Sequence, residues 1–241
     1  MGIIIQKFGG TSVSNKNKLL NVCRHAIKEY ESNNQVVIVV SAQGKTTDML
    51  VSEEKEISND PDKREHDVLV STGEQITISK LTMLFKELGY DAISYTGWQI
   101  PILTDNLYGN ANIIDINTEK IVDQLERNRI VVIAGFQGIT KYGDITTLGR
   151  GGSDTTAVAL AAYLNADKLY IYTDVDGVYS EDPNINKNAV KYNNISYDKM
   201  IEMTKNGAKV LHTKCVEMAK KDNVKIIVKS AFIDNEGTIV Q

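Results

Sequence analysis

The chain has 241 residues, 42% of them hydrophobic and 24% charged, with a formal net charge of -4 at pH 7. That profile suits a globular protein with a sizeable buried core and excludes disordered and collagen-like classes. Lysines and arginines are scattered along the chain, so no basic stripe is available to track a phosphate backbone, and nucleic acid is not an expected partner.

In chain order, residues 3–5 open as a strand, and the apolar run they form is too short for a signal peptide. Gln6 interrupts the myristoylation pattern, and nowhere does an apolar stretch approach the roughly 20 residues a membrane helix needs. The reading is a cytoplasmic protein with no membrane partner. Ser14 is placed to cap a helix running to about Glu31, with Leu19, Leu20, Val22, Cys23, Ala26 and Ile27 on its apolar side. A second strand spans 36–40. Thr118 is placed to cap a helix through Arg127 that leads into a strand at 130–134. Ser153 or Asp154 is placed to cap an alanine-rich helix ending near Asn165, and strands follow at 169–172 and 226–228. Cys23 and Cys215 both fall in helical stretches and suggest neither a disulfide framework nor a metal cluster.

Continuous β-branched runs fit strands covered on both faces, and their alternation with helices indicates βαβ units. The expected fold class is α/β: a three-layer α/β/α sandwich around a largely parallel sheet, forming one domain, 1–241, with two lobes. Residues 43–47, 95–112, 135–153 and 173–184 are rich in Gly, Thr, Asp and Asn and do not read as scaffold. Ligands of open α/β sheets sit beyond the carboxyl ends of the strands, where such loops gather.

Two loops carry chemistry. In Lys7-Phe8-Gly9-Gly10-Thr11-Ser12, paired glycines let backbone N–H groups approach a phosphate and Lys7 adds a charge. The Walker A spacing is absent, and an ordinary strand-to-helix turn is the alternative. In Thr146-Thr147-Leu148-Gly149-Arg150-Gly151-Gly152-Ser153-Asp154, an arginine bracketed by glycines opens a helix, an arrangement suited to capturing a carboxylate or phosphate.

These two loops, Ser41-Ala42 with the following Thr46-Thr47-Asp48, and Ser71-Thr72-Gly73-Glu74 together resemble the aspartokinase branch of the amino-acid kinase family. The resemblance continues through Tyr172-Thr173-Asp174-Val175-Asp176-Gly177-Val178-Tyr179 and Gly207-Ala208-Lys209-Val210-Leu211-His212. It implies transfer of the ATP γ-phosphoryl group to the β-carboxylate of L-aspartate, the first step of lysine, threonine and methionine biosynthesis, with Mg2+ held mainly by the ATP phosphates rather than by a protein metal site. By the same resemblance, Lys7, Gly9, Gly10 and Lys209 contact phosphate, Ser41, Thr47, Glu74, Arg150 and Ser153 form the aspartate site, and Asp154 stands beside the catalytic lysine. Thr173, Asp174 and Tyr179 match the adenosine loop, so the N-terminal lobe takes mainly the amino acid and the C-terminal lobe mainly ATP.

Two departures stand out. Asn184 occupies a position where relatives often carry an arginine near the nucleotide. Relatives also continue into ACT-type regulatory domains, and with none present here the expectation is no response to lysine or threonine, with room left for a homodimer on the kinase surface and for a separate regulatory chain. The rival functions are kinases for uridylate, glutamate or acetylglutamate, and a noncatalytic amino-acid or nucleotide sensor. Taken one at a time, the residues also have plainer readings. Glu74 can serve a helix dipole, Ser41 and Thr47 can satisfy loop backbone, and Lys209 can be a solvated helix charge. His25, His66 and His212 lack zinc spacing and are assigned to structure or surface, as is Trp98 to packing.

Overall fold

The structure is a computed structural model describing residues 2–183 and 185–241, so Asn184 lies outside the described residues. The chain begins with β1 (Ile3–Phe8), a 3-10 turn (Gly10–Val13), α1 (Lys16–Glu31), β2 (Gln35–Val40), α2 (Thr46–Ile57), α3 (Lys63–Val70) and α4 (Thr72–Glu87). It continues with β3 (Ala92–Tyr95), β4 (Ile102–Thr104), β5 (Ile113–Ile116), α5 (Glu119–Glu126), β6 (Ile130–Ala134), β7 (Gln137–Thr140) and β8 (Ile145–Thr147). The last part holds α6 (Gly152–Tyr163), β9 (Lys168–Thr173), β10 (Asn194–Ile195), α7 (Tyr197–Lys205), α8 (Thr213–Lys221), β11 (Ile226–Ser230) and β12 (Thr238–Val240).

Eight strands form the main sheet in the order β10-β12-β11-β9-β1-β2-β6-β3. Their period-2 alternation builds a core on each face. On one face Ile4 and Phe8 of β1 and Val36, Ile38 and Val40 of β2 pack with Leu19 and Val22 of α1 and Leu81 and Phe85 of α4. On the other, Ile5, Val37 and Val39 pack with Ile121 of α5, Val158 and Leu160 of α6 and Val216 of α8. The α/β/α sandwich is therefore present, and the pairing is parallel except where β12 runs antiparallel to β11. Both cysteines are free and buried, Cys23 in α1 and Cys215 in α8.

Register places the loops. Phe8 stands opposite Val40 and Tyr172, Val40 opposite Ala134, and Tyr172 opposite Lys229, so β1, β2, β6, β9 and β11 end at one edge of the sheet. The segments that follow them must converge there.

The structure corrects several sequence expectations. The cap of α1 is Asn15, whose side chain accepts the Lys18 amide, while Ser14 donates to the Thr11 carbonyl one turn earlier. Thr118 holds the N-cap position of α5, but the side chain that accepts an amide there is Asn117. Ser153 and Asp154 lie inside the first turn of α6, and the residue at its N-cap is Gly151, left-handed at φ 71. Stretches read as loops within 95–112 and 135–153 contain β4, β7 and β8, which with β5 form a second sheet in the order β5-β4-β7-β8. No helix among the described residues is long and apolar enough to cross a membrane.

Candidate active site

Beyond the carboxyl ends of β1, β2 and β6 lies a cleft of about 610 Å³. One side of it is built by β1, which delivers Lys7, Gly9 and Gly10 to the edge. A Cβ at Gly10 would lie 2.7 Å from the Ala42 carbonyl oxygen, so glycine is what lets the β1 loop close against the β2 loop. Gly44 N–H then donates to the Gly10 carbonyl at 3.0 Å and ties the two loops together.

Lys7 Nζ sits 2.6 Å from Asp154 Oδ1, with both side chains close to fully buried. The contact is close without being aligned as a hydrogen bond, because Asp154 Oδ1 has no partner of hydrogen-bond geometry. Two charges at that depth are stable only together, since taking one away leaves the other desolvated and unpaired. α6 holds the carboxylate in place. From Gly152 to Ala161 the helix is buried all round, so Asp154 cannot turn away to solvent.

The other side starts at β2. Ser41 Oγ donates to Ser153 Oγ at 3.0 Å, linking the end of β2 to the first turn of α6. Glu74, in the first turn of α4, accepts the Ala42 amide at 2.9 Å through Oε1, whereas its Oε2 is buried without a partner. The residue is 3% exposed, and burial pushes its carboxyl up to about 7, against the opposing pull of the Ala42 and Glu74 amides. A carboxylate that lines a cleft with one oxygen unmatched is a socket for a cationic group. Thr47 lines the same cleft from the first turn of α2.

Arg150 lies between Gly149 and Gly151, both at positive φ, and is exposed at the mouth. A Cβ on Gly151 would run into the His212 ring as well as force a side chain into left-handed backbone. Gly151→Ala is therefore expected to cost about 1–3 kcal/mol and to lower the melting temperature by several degrees in calorimetry. An unchanged melting temperature would show that the loop relaxes freely.

Nine of the sequence-proposed residues are thus brought together: Lys7, Gly9, Gly10, Ser41, Thr47 and Glu74 from the first part of the chain, with Arg150, Ser153 and Asp154 from the second. Four are not among the residues lining the cleft. Thr173 ends β9 and Asp174 follows it at the same sheet edge, where Thr173 Oγ1 donates to Asp174 Oδ1, and Tyr179 donates to Asp176 Oδ1 at 2.8 Å. Lys209 is exposed on the segment joining α7 to α8, off either helix.

The sequence reading missed other lining residues. His66 and His212, assigned to structure or surface, both face the cleft. Phe136 also lines it and is held at φ 72, an uncommon conformation for a bulky residue. Asp67 of α3 is fully buried and accepts from the Gly109 amide, the Thr147 amide and Thr147 Oγ1, pinning two further lining residues. A second depression of about 660 Å³, between β5, α6 and α8, contains none of the sequence-proposed residues. Among the described residues no group of three or more His, Cys, Asp or Glu side chains could hold a metal ion.

The fold is an α/β sandwich with a cleft at the carboxyl edge of its sheet, lined by side chains of both signs of charge. Residues 2–230 match the sequence profile of the amino acid kinase family, and the chain belongs to that family. An aspartokinase of Bacillus sp. (strain MGA3) is 56% identical over 241 residues, covering 100% of this chain and 59% of that protein. The chain thus spans somewhat under two thirds of the length of that relative. The crystal structure of aspartate kinase from Synechocystis superposes with a TM-score of 0.89 at 41% identity, covering 99% of this chain and 39% of that one. E. coli aspartokinase III in complex with aspartate and ADP superposes at 0.88 with 25% identity, covering 99% of this chain and 64% of that one.

Proposed function

We propose that this chain binds L-aspartate and ATP and phosphorylates the aspartate β-carboxylate, yielding 4-phospho-L-aspartate. The observation that carries the reading is the unmatched Oε2 of Glu74, a buried anionic socket in the same cleft as the exposed Arg150 and the Lys7–Asp154 pair. An α-amino acid presents an ammonium and a carboxylate on one carbon, and Glu74 with Arg150 answers both. The relatives named for aspartate support the choice of acceptor.

On this reading the β-carboxylate attacks as it stands, already ionised near neutral pH, so no general base is needed. Catalysis then rests on positioning and on cancelling the repulsion between two anions. Lys7 turns from Asp154 toward the transferring phosphoryl group, Gly9 and Gly10 cradle that group with backbone amides, and Lys209 reaches it from the α7–α8 segment. Ser41, Thr47 and Ser153 donate to the acceptor. Thr173, Asp174 and Tyr179 hold the adenosine, so the first part of the chain serves mainly the amino acid and the second mainly the nucleotide. Magnesium, carried on the ATP phosphates, supplies further positive charge, and Asp154 is the cleft carboxylate that can orient it or Lys7. The reaction belongs in the cytoplasm, in keeping with two unpaired buried cysteines.

Glu74 supplies the test. Its carboxyl, ordinarily near 4.5 and raised here to about 7, is mostly protonated at pH 6. The substrate ammonium binds the ionised form, so aspartate affinity should rise about tenfold from pH 6 to pH 8 and then level off, with a proton released on binding near pH 7. The sign for stability is opposite: a raised carboxyl stabilises the free protein below its ordinary value and loses that contribution as pH climbs through about 7, where bound aspartate restores it. Titration calorimetry in buffers of different ionisation enthalpy measures the released proton. N-acetyl-aspartate, lacking the ammonium, should not bind, and equal binding of the two compounds would refute the Glu74 socket.

A further inference from the structure

One acidic and one basic side chain, Glu54 on α2 and His66 on α3, have been given no role so far, although His66 faces the cleft. His66 Nδ1 lies 2.9 and 2.8 Å from the two oxygens of Glu54, which is 8% exposed, so the pair is not a solvated surface contact. A carboxylate only accepts, so Nδ1 carries a proton and donates it to Glu54. That fixes the ring and leaves Nε2 as its free polar atom. No protein hydrogen bond reaches Nε2 among the described residues, and His66 lines the cleft.

Position on the helix reinforces this. Thr47, Val51 and Glu54 recur at intervals of four and three residues along one face of α2, and Thr47 and Val51 line the cleft with His66. The next residue of α3, Asp67, anchors the Gly109 amide at 3.0 and 2.9 Å. Gly109 in turn lies against the arginine loop, since a Cβ on Gly149 would stand 3.2 Å from its carbonyl oxygen. The turn that carries His66 is thereby braced against the loop that carries Arg150.

We propose that His66, oriented by Glu54, is a second contact for the acceptor's α-carboxylate, donating from Nε2 beside Arg150. The inference rests on aspartate being the acceptor. Arg150 is exposed on left-handed glycines and must be ordered when ligand arrives, whereas His66 is already fixed by its partner. Between the Glu54 carboxylate and a substrate carboxylate, the ring meets an acceptor at each nitrogen and can donate to both. It has no role as a base, because the nucleophile is ionised without one.

The test compares His66→Phe, which keeps a ring and loses Nε2, with His66→Gln, whose terminal amide N–H reaches about as far. In steady-state assays His66→Phe should raise the KM for aspartate about ten- to thirtyfold, the order expected for one hydrogen bond between charged groups, with kcat and the KM for ATP within about twofold. His66→Gln should recover most of the loss, and Glu54→Gln should fall between. In the wild-type chain, which has only three histidines, saturating aspartate without ATP should shift the His66 ring resonances. An unchanged aspartate KM in a folded His66→Phe protein, a uniform fall in kcat with both KM values intact, or ring resonances that ignore aspartate would each overturn the inference. Absence of aspartate turnover by the wild type would instead overturn the proposed reaction.

Discussion

Replacing Lys7 with alanine should lower the turnover number about a thousandfold while aspartate binding stays within about threefold, the pattern of a charge used mainly in the transition state. Lys7 stands at the end of β1, with its ammonium 2.6 Å from Asp154 in a contact that lacks hydrogen-bond alignment. An ammonium so placed is held in register by charge, and moving it onto a phosphoryl oxygen exchanges one charge-assisted contact for another. The proposed aspartate contacts lie elsewhere, on Glu74 and Arg150. The same substitution leaves Asp154 buried and uncompensated, a loss of about 3–5 kcal/mol, so Lys7→Ala with Asp154→Asn should be more stable than Lys7→Ala alone. Single-turnover kinetics and calorimetric aspartate binding check the first expectation. A normal turnover number with only a higher KM for aspartate would assign Lys7 to ground-state binding.

Arg150→Lys should behave as a severe change. A lysine keeps the charge but loses the planar two-point fork that matches a carboxylate, and the expected loss in kcat/KM for aspartate is about 2–4 kcal/mol, or roughly 30- to 1000-fold. The flanking glycines, both at positive φ, carry no side-chain donor that could replace the guanidinium. Steady-state kinetics within a factor of two of wild type would remove Arg150 from the carboxylate site.

Much of this arrangement is legible in the sequence because its signals are local. Continuous apolar runs mark β1, β2, β6, β9 and β11, the first three buried along nearly their whole length, and the loops after β1, β2 and β6 carry recognisable charges. The cap of α6 was misread for a physical reason. Ser153 and Asp154 are good caps in isolation, but left-handed Gly151 starts the helix earlier and frees both side chains to face the cleft. Strands β4 and β8 have three residues each, and β4 pairs in parallel with the distant β7, so no local periodicity announces the second sheet. His66 and Asp67 were invisible for a related reason. Glu54 lies on another helix, and the amides of Gly109 and Thr147 come from 42 and 80 residues downstream.

The most direct measurement of the central claim is ATP consumption with aspartate, glutamate, acetylglutamate and UMP side by side, with hydroxylamine trapping of any acyl phosphate formed. The account predicts turnover with aspartate and an aspartyl hydroxamate product, with acetylglutamate and UMP slower by at least about a hundredfold because without an α-ammonium they leave a buried charged socket unpaired, and with glutamate slower because its side-chain carboxylate stands one methylene out of position. Turnover with UMP and none with aspartate would contradict it.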